Sequence, residues 1–229
     1  MSTPVYTVAA LPYAVDMAAV SFGALSGALH ATRKGLDPVG VLALALISGI
    51  GGGAIRDVLL QSTTPVFLVS PAYLASAALA AVVAVLFARL VHAAMPVIGV
   101  VDTLLIGVWV VIGAERALLV GLSASSAAFL GVITATGGGL LRDLLCHEVP
   151  AAVRPGEWYV GAAVLASLTF VLLVQSGVAL PVAQAVTIVV AAALRTASVR
   201  LGWRTPTAYD LWGDLESRLA SGLGRPPHE

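Results

Sequence analysis

A run of three glycines followed by an arginine–aspartate pair occurs twice in this chain, each time deep inside an apolar stretch. Gly51-Gly52-Gly53-Ala54-Ile55-Arg56-Asp57-Val58-Leu59-Leu60 returns 86 residues later as Gly137-Gly138-Gly139-Leu140-Leu141-Arg142-Asp143-Leu144-Leu145-Cys146. The same offset carries Asp16 onto Asp102, Gly35 onto Gly121 and Ser48 onto Thr134. Further along it slips to 85, pairing Pro65 with Pro150 and Tyr73 with Trp158. Self-similarity at a fixed period marks a duplicated structural unit.

The solvent of that unit follows from its apolarity. Hydrophobic residues make up 59% of the chain and charged ones 10%, with a mean hydropathy of +0.98. A soluble domain carries about 25% charged residues, so lipid is the expected surroundings. A spanning helix needs roughly 20 mostly apolar residues. The pattern predicts helices at 12–30, 39–60, 72–92, 97–119, 125–146, 157–175 and 179–201, separated by Gly- and Pro-rich turns. Each repeat then holds three helices, an odd number, so the second copy crosses the membrane upside down. The expected fold is an all-α integral membrane protein. It has seven transmembrane helices: two inverted three-helix repeats (12–92 and 97–175) and a seventh helix (179–201). Residues 1–201 form a single transmembrane domain and 202–229 a cytoplasmic tail, which is either partly disordered or a short surface helix with Leu211, Trp212, Leu215 and Leu219 on one face.

Basic residues orient the bundle. With the N-terminus outside, the inner loops and tail hold Arg33, Lys34, Arg89, Arg154, Arg195, Arg200, Arg204, Arg218 and Arg225, nine of the 12 basic residues. Met1 to Tyr13 lack a basic region, so the first helix is expected to stay. A formal net charge of +0 offers nothing to nucleic acid. The single cysteine, Cys146, excludes an intrachain disulfide.

Three glycines in one spanning helix each cost about 1 kcal/mol relative to alanine. Two readings explain them. Helices two and five bend or unwind at Gly51–Gly53 and Gly137–Gly139 and line a wet cavity with freed backbone groups, or the glycines allow close helix packing. Ser48, Thr134 and Thr136 beside the triplets favour the wet site, although such hydroxyls also bond their own helix. Adjacent helical residues do not face each other, so each arginine is expected to reach past its neighbour, either across the repeats (Arg56 with Asp143, Arg142 with Asp57) or to carbonyls released at a glycine break. Those four residues, with the symmetric pair Asp16 and Asp102, are the charged pore or gate candidates. The alternative is a buried ion-pair lock. Glu115 and Arg116 read as an interfacial charged cap, and His30, His92, His147 and His228 have no metal-site spacing.

Phosphate-loop, nucleophile-elbow, zinc-protease and CxxC motifs are absent, and no enzyme is expected. Two GGGxxRD motifs in inverted three-helix repeats plus a seventh helix resemble the prokaryotic trimeric intracellular cation channels, the TRIC family, whose bacterial branch also carries a glycine-transporter-like label. The resemblance covers about residues 1–201. It implies a homotrimer in the prokaryotic inner membrane; the basic residues put the N-terminus outside and the C-terminus in the cytoplasm. Each protomer would carry its own pore for K+ and Na+, lined by the glycine-kinked helices two and five. By motif it gives a pore and hinge role to Gly51, Gly52, Gly53, Gly137, Gly138 and Gly139, and a charged pore or gate role to Arg56, Asp57, Arg142 and Asp143. No cofactor is implied beyond the permeant ion and bound lipid. The rival classes are a secondary transporter for a small solute such as glycine and a non-transporting membrane scaffold.

Overall fold

In the computed structural model, residues 13–61, 64–87, 95–154, 158–203, 209 and 212 are described. They form eight helices and no strands: α1 (Tyr13–Arg33), α2 (Pro38–Leu60), α3 (Val66–Val69), α4 (Pro71–Leu86), α5 (Met95–Leu119), α6 (Ala124–Leu145), α7 (Tyr159–Gln175) and α8 (Leu180–Leu201). All but the single turn α3 fall on segments expected from the sequence. The expected end of the third segment, with Arg89 and His92, lies outside the described residues, as does nearly all of the tail.

Local chemistry sets the boundaries, and it does so twice. Asp37 caps α2 by accepting the Gly40 amide at 2.7 Å, with Pro38 in the first turn, where its missing N–H costs nothing. Its counterpart Ser123 caps α6 through the Ser126 amide at 3.2 Å. Both α1 and α5 end in a left-handed glycine, Gly35 at φ 71° and Gly121 at φ 81°. The amides of Leu36 and Leu122 then reach back to the carbonyls of Ala31 and Ala117, at 3.1 and 3.0 Å. Among the described residues, even the two non-glycines with positive φ, Gln61 and His147, lie 86 residues apart.

Packing also divides in two. α1, α2 and α4 share a core of mostly small side chains, among them Ala24, Ala28, Ala45, Ala77 and Ala81. α5, α6 and α7 form the other, with Ala114, Ala127, Leu130 and Phe170, and α8 closes over α5 and α7. Alanine suits a bundle in lipid, where close backbone approach rather than apolar burial drives association. Large apolar side chains such as Leu79, Val82, Leu86, Leu172 and Val189 point outward. The helices α1, α2, α6 and α8 are long and apolar enough to cross a membrane by length and composition, and α4 and α7 are shorter apolar helices. Burial in α7 restores the 86-residue register: Ala77, Ala80, Ala81 and Ala84 match Ala163, Ala166, Ser167 and Phe170, all buried. Tyr73 therefore corresponds to Tyr159. The pairing with Trp158 is corrected, because the one-residue slip at Pro150 is confined to the loop.

Candidate functional site

The two halves meet where α2 crosses α6 at the glycine triplets. Both helices run unbroken through them, which corrects the expectation of unwound backbone. The physical reason is reciprocal contact. A Cβ on Gly52 would lie 2.2 Å from the Thr134 carbonyl oxygen, and one on Gly138 would lie 2.4 Å from the equivalent oxygen of Ser48. Gly51 and Gly137 approach Gly138 and Gly52 less closely, their would-be Cβ atoms 3.5 and 3.2 Å from the opposing Cα. The third glycines do something else: Gly53 and Gly139 have only the guanidinium ends of Arg56 and Arg142 beside them, at 3.6 and 3.8 Å. The helices therefore stay hydrogen-bonded, and the glycines let their backbones touch.

The cross-repeat ion pairs are likewise corrected. Each arginine curls back onto its own neighbour: Arg56 Nε and Nη2 donate to Asp57 Oδ1, both at 2.7 Å, and Arg142 Nε and Nη2 to Asp143 Oδ1 at 2.9 and 2.8 Å. A long side chain near a helix end can fold over the adjacent carboxylate even though the two Cβ atoms diverge. The aspartates hold the next segment with their other oxygen. Asp57 Oδ2 accepts the Val66 amide and Asp143 Oδ2 the Ala151 amide, each at 3.0 Å. The first pair is sealed, with Arg56 and Asp57 each 4% exposed. In the second, the Arg142 side chain is 20% exposed and Nη1 donates to Ser26 Oγ at 3.3 Å.

That difference opens a cavity of about 190 Å³ on one side of the crossing, room for roughly six waters at ~30 Å³ each. Ser48, Gly52, Gly53, Asp102, Thr134, Thr136, Gly138, Gly139, Arg142 and Asp143 line it, joined by Gly23, Ser26, Trp109, Tyr159 and Arg195. Gly51, Gly137, Arg56, Asp57 and Asp16 do not border it. Thr134 and Thr136 bond their own helix, to the carbonyls of Leu130 and Val132. Asp102 is exposed, whereas Asp16 takes the hydroxyl of Tyr73. Arg195 stacks over the Tyr159 ring, Cζ 5.5 Å from its centroid.

Tyr73, Tyr159, Ser26 and Arg195 were not singled out from sequence as site residues. The 86-residue offset points to the tyrosines once the register is carried past the loop. Nothing in the repeat points to Arg195 of α8. Glu115 is no interfacial cap: it is buried and accepts from Gln184 Nε2 of α8 at 2.9 Å. At the rim, Lys34 pairs with Glu148, and His30 Nε2 lies 3.3 Å from the same carboxylate. This hydrogen bond lowers the Glu148 pKa and raises that of Lys34.

A family model described as a glycine transporter matches the chain twice, over residues 13–89 and 99–175. A UPF0126 membrane protein from Deinococcus radiodurans is 36% identical over 159 residues, 69% of this chain and 74% of the relative. The UPF0126 inner membrane protein YadS of Escherichia coli K12 is 30% identical over 200 residues, 86% and 96% of the two chains. Among solved structures, a TRIC trimeric intracellular cation channel orthologue from Rhodobacter sphaeroides superposes with a TM-score of 0.77 at 34% identity, covering 83% of this chain and 97% of that one. A second, from work on conductance through TRIC cation channels, gives 0.81 at 30% identity, covering 86% and 97%.

Proposed function

The chain belongs to this family of membrane proteins, the glycine-transporter-like branch that includes the prokaryotic TRIC channels, and on that premise we propose that it is a passive channel for monovalent cations, K+ and Na+. The observation that carries the reading is the polar cavity at the crossing of two glycine triplets, inside a bundle whose outer surface is apolar. Polar lining at that depth is costly in lipid and is kept where water or ions pass. Arginines in a cation path repel the ion unless neutralised, and both triplet arginines carry their own aspartate. Asp102 and the lining hydroxyls then replace part of an ion's water shell.

The arrangement in the membrane belongs to the same proposal. Seven spans in two inverted repeats plus α8, N-terminus outside and C-terminus cytoplasmic, put α2 and α6 along the path of each protomer. The assembly is a homotrimer in the prokaryotic inner membrane, with lipid as its other partner. Small sliding of α2 on α6 at the glycine contact opens and closes the path, a shear motion suited to closely packed helices.

Recording the purified protein in planar bilayers under K+, Na+ and Cl− gradients tests this. Unitary currents reversing at the cation potential are expected. Saturable solute uptake without unitary currents overturns the channel in favour of a carrier.

A further inference from the structure

Asp16 and Tyr73 stand at the repeat equivalents of Asp102 and Tyr159. The two pairs have the same chemistry and different states. Tyr73 is buried, and its hydroxyl donates to Asp16 Oδ2, tying α4 to α1. Tyr159 sends its hydroxyl to the Ala135 carbonyl at a long 3.5 Å. A phenol has one proton to donate, so that proton is not given to Asp102, which stays exposed. Asp102 and Tyr159 both border the cavity, and neither Asp16 nor Tyr73 does. One bundle therefore displays one contact made and its counterpart unmade.

The asymmetry has a visible source. α8 is the one long helix outside the duplicated unit among the described residues, and it brings Arg195 onto the face of the Tyr159 ring, beside the same cavity. A guanidinium stacked on an aromatic face is attracted to it and fixes the ring plane.

We propose that the two Asp–Tyr pairs are latches at the two ends of the crevice, that Asp16–Tyr73 is closed, and that Arg195 holds Asp102–Tyr159 open by keeping the Tyr159 ring against α8. This rests on the channel reading above. An ion crosses only when Tyr73 releases Asp16, whose carboxylate then faces the crevice as that of Asp102 already does. Tyr73, Tyr159 and Arg195 are thus positioning residues that set which end is accessible.

A thiol reporter separates this from conduction. Cys146→Ser removes the native thiol and Ser48→Cys places one on the cavity wall. In sided membrane vesicles, a membrane-impermeant cationic methanethiosulfonate is expected to reach it from one face only. Tyr73→Phe keeps the ring and loses a hydrogen bond to a carboxylate. It is expected to raise labelling from the second face, and the open probability in KCl, about tenfold. Arg195→Leu is expected to slow labelling from the first face by about the same factor, because Tyr159 is freed to bond Asp102. Adding Tyr159→Phe to that variant restores the rate. Arg195→Lys retains charge but not the planar stack, and slows labelling in the same direction even where the leucine variant fails to fold. Unchanged labelling in Tyr73→Phe, no slowing in Arg195→Lys, or no recovery in the double variant overturns the latches. Labelling that follows this pattern without K+ current in any variant supports the latches and removes the channel reading.

Discussion

At the residue scale, two ion pairs of identical chemistry differ in what surrounds them. Arg56 and Asp57 are shut away from solvent, while Arg142 reaches the cavity. Removing one partner of a buried pair leaves an unpaired charge and costs about 3–5 kcal/mol. Arg56→Met is therefore expected to destabilise by that order. Arg142→Met, with cavity water beside Asp143, is expected to cost only about 1–2 kcal/mol on the same grounds. Unfolding titrations of both variants in detergent check the order. The Lys34–Glu148 contact behaves differently, because it is exposed and titrates. Glu148 is held below its ordinary pKa of 4.5, so its contribution is present above that value and is lost as pH falls through the depressed one. Lys34 is held above 10.5, so its contribution is present below that value and is lost as pH rises through the raised one. Glu148→Gln is expected to lower the thermal midpoint at neutral pH and to match the unchanged protein in strong acid. A difference that persists in acid would rule the pairing out.

At the element scale, the glycines of each triplet divide by what they touch. The first two meet backbone of the opposite helix and the third meets only the end of a flexible arginine. A methyl group on Gly52 or Gly138 has to push α2 and α6 apart, since a carbonyl oxygen at 2.2 or 2.4 Å cannot move by rotamer change. Gly52→Ala and Gly138→Ala are expected to destabilise by at least about 1–3 kcal/mol, the usual range for overpacking. Gly53→Ala and Gly139→Ala leave the crossing intact and gain up to about 1 kcal/mol of helix propensity. Thermal melts of the four single variants decide it; equal losses at all four would refute packing as the reason for the first two. Both the unwound and the close-packed readings stayed open from sequence, because local propensity marks glycine as a helix breaker and carries no information about a second helix.

At the scale of the whole molecule, pseudo-symmetry places the cavity and its breaking gives the cavity a direction. Repeated caps, repeated left-handed residues and reciprocal glycine contacts make the two halves alike. The extra helix α8 makes them differ, through Arg195 on Tyr159 and Gln184 on the buried Glu115. With Asp143 committed to Arg142, Asp102 is the exposed carboxylate among the lining residues. Asp102→Asn is expected to lower K+ conductance severalfold and weaken selectivity over Cl−, while leaving the folded protein intact. Reversal potentials and unitary currents of that variant measure both. Asp16→Asn weakens the bond to Tyr73 and is expected to raise the open probability, which Asp102→Asn leaves unchanged, so a matching rise in both variants would refute the asymmetric assignment.

Much of this architecture was legible from residue order alone. Turn chemistry, apolar run length and the 86-residue self-match are local or periodic signals, and they located the helices, the duplication and the triplets with their charged neighbours. The unbroken glycine crossing and the placement of Arg195 and Tyr159 on one cavity wall were decided by tertiary structure. Each depends on which surfaces of distant helices come into contact, and no window of sequence contains that. A repeat predicts likeness between its copies; only the packed bundle shows where one unpaired helix makes them unequal.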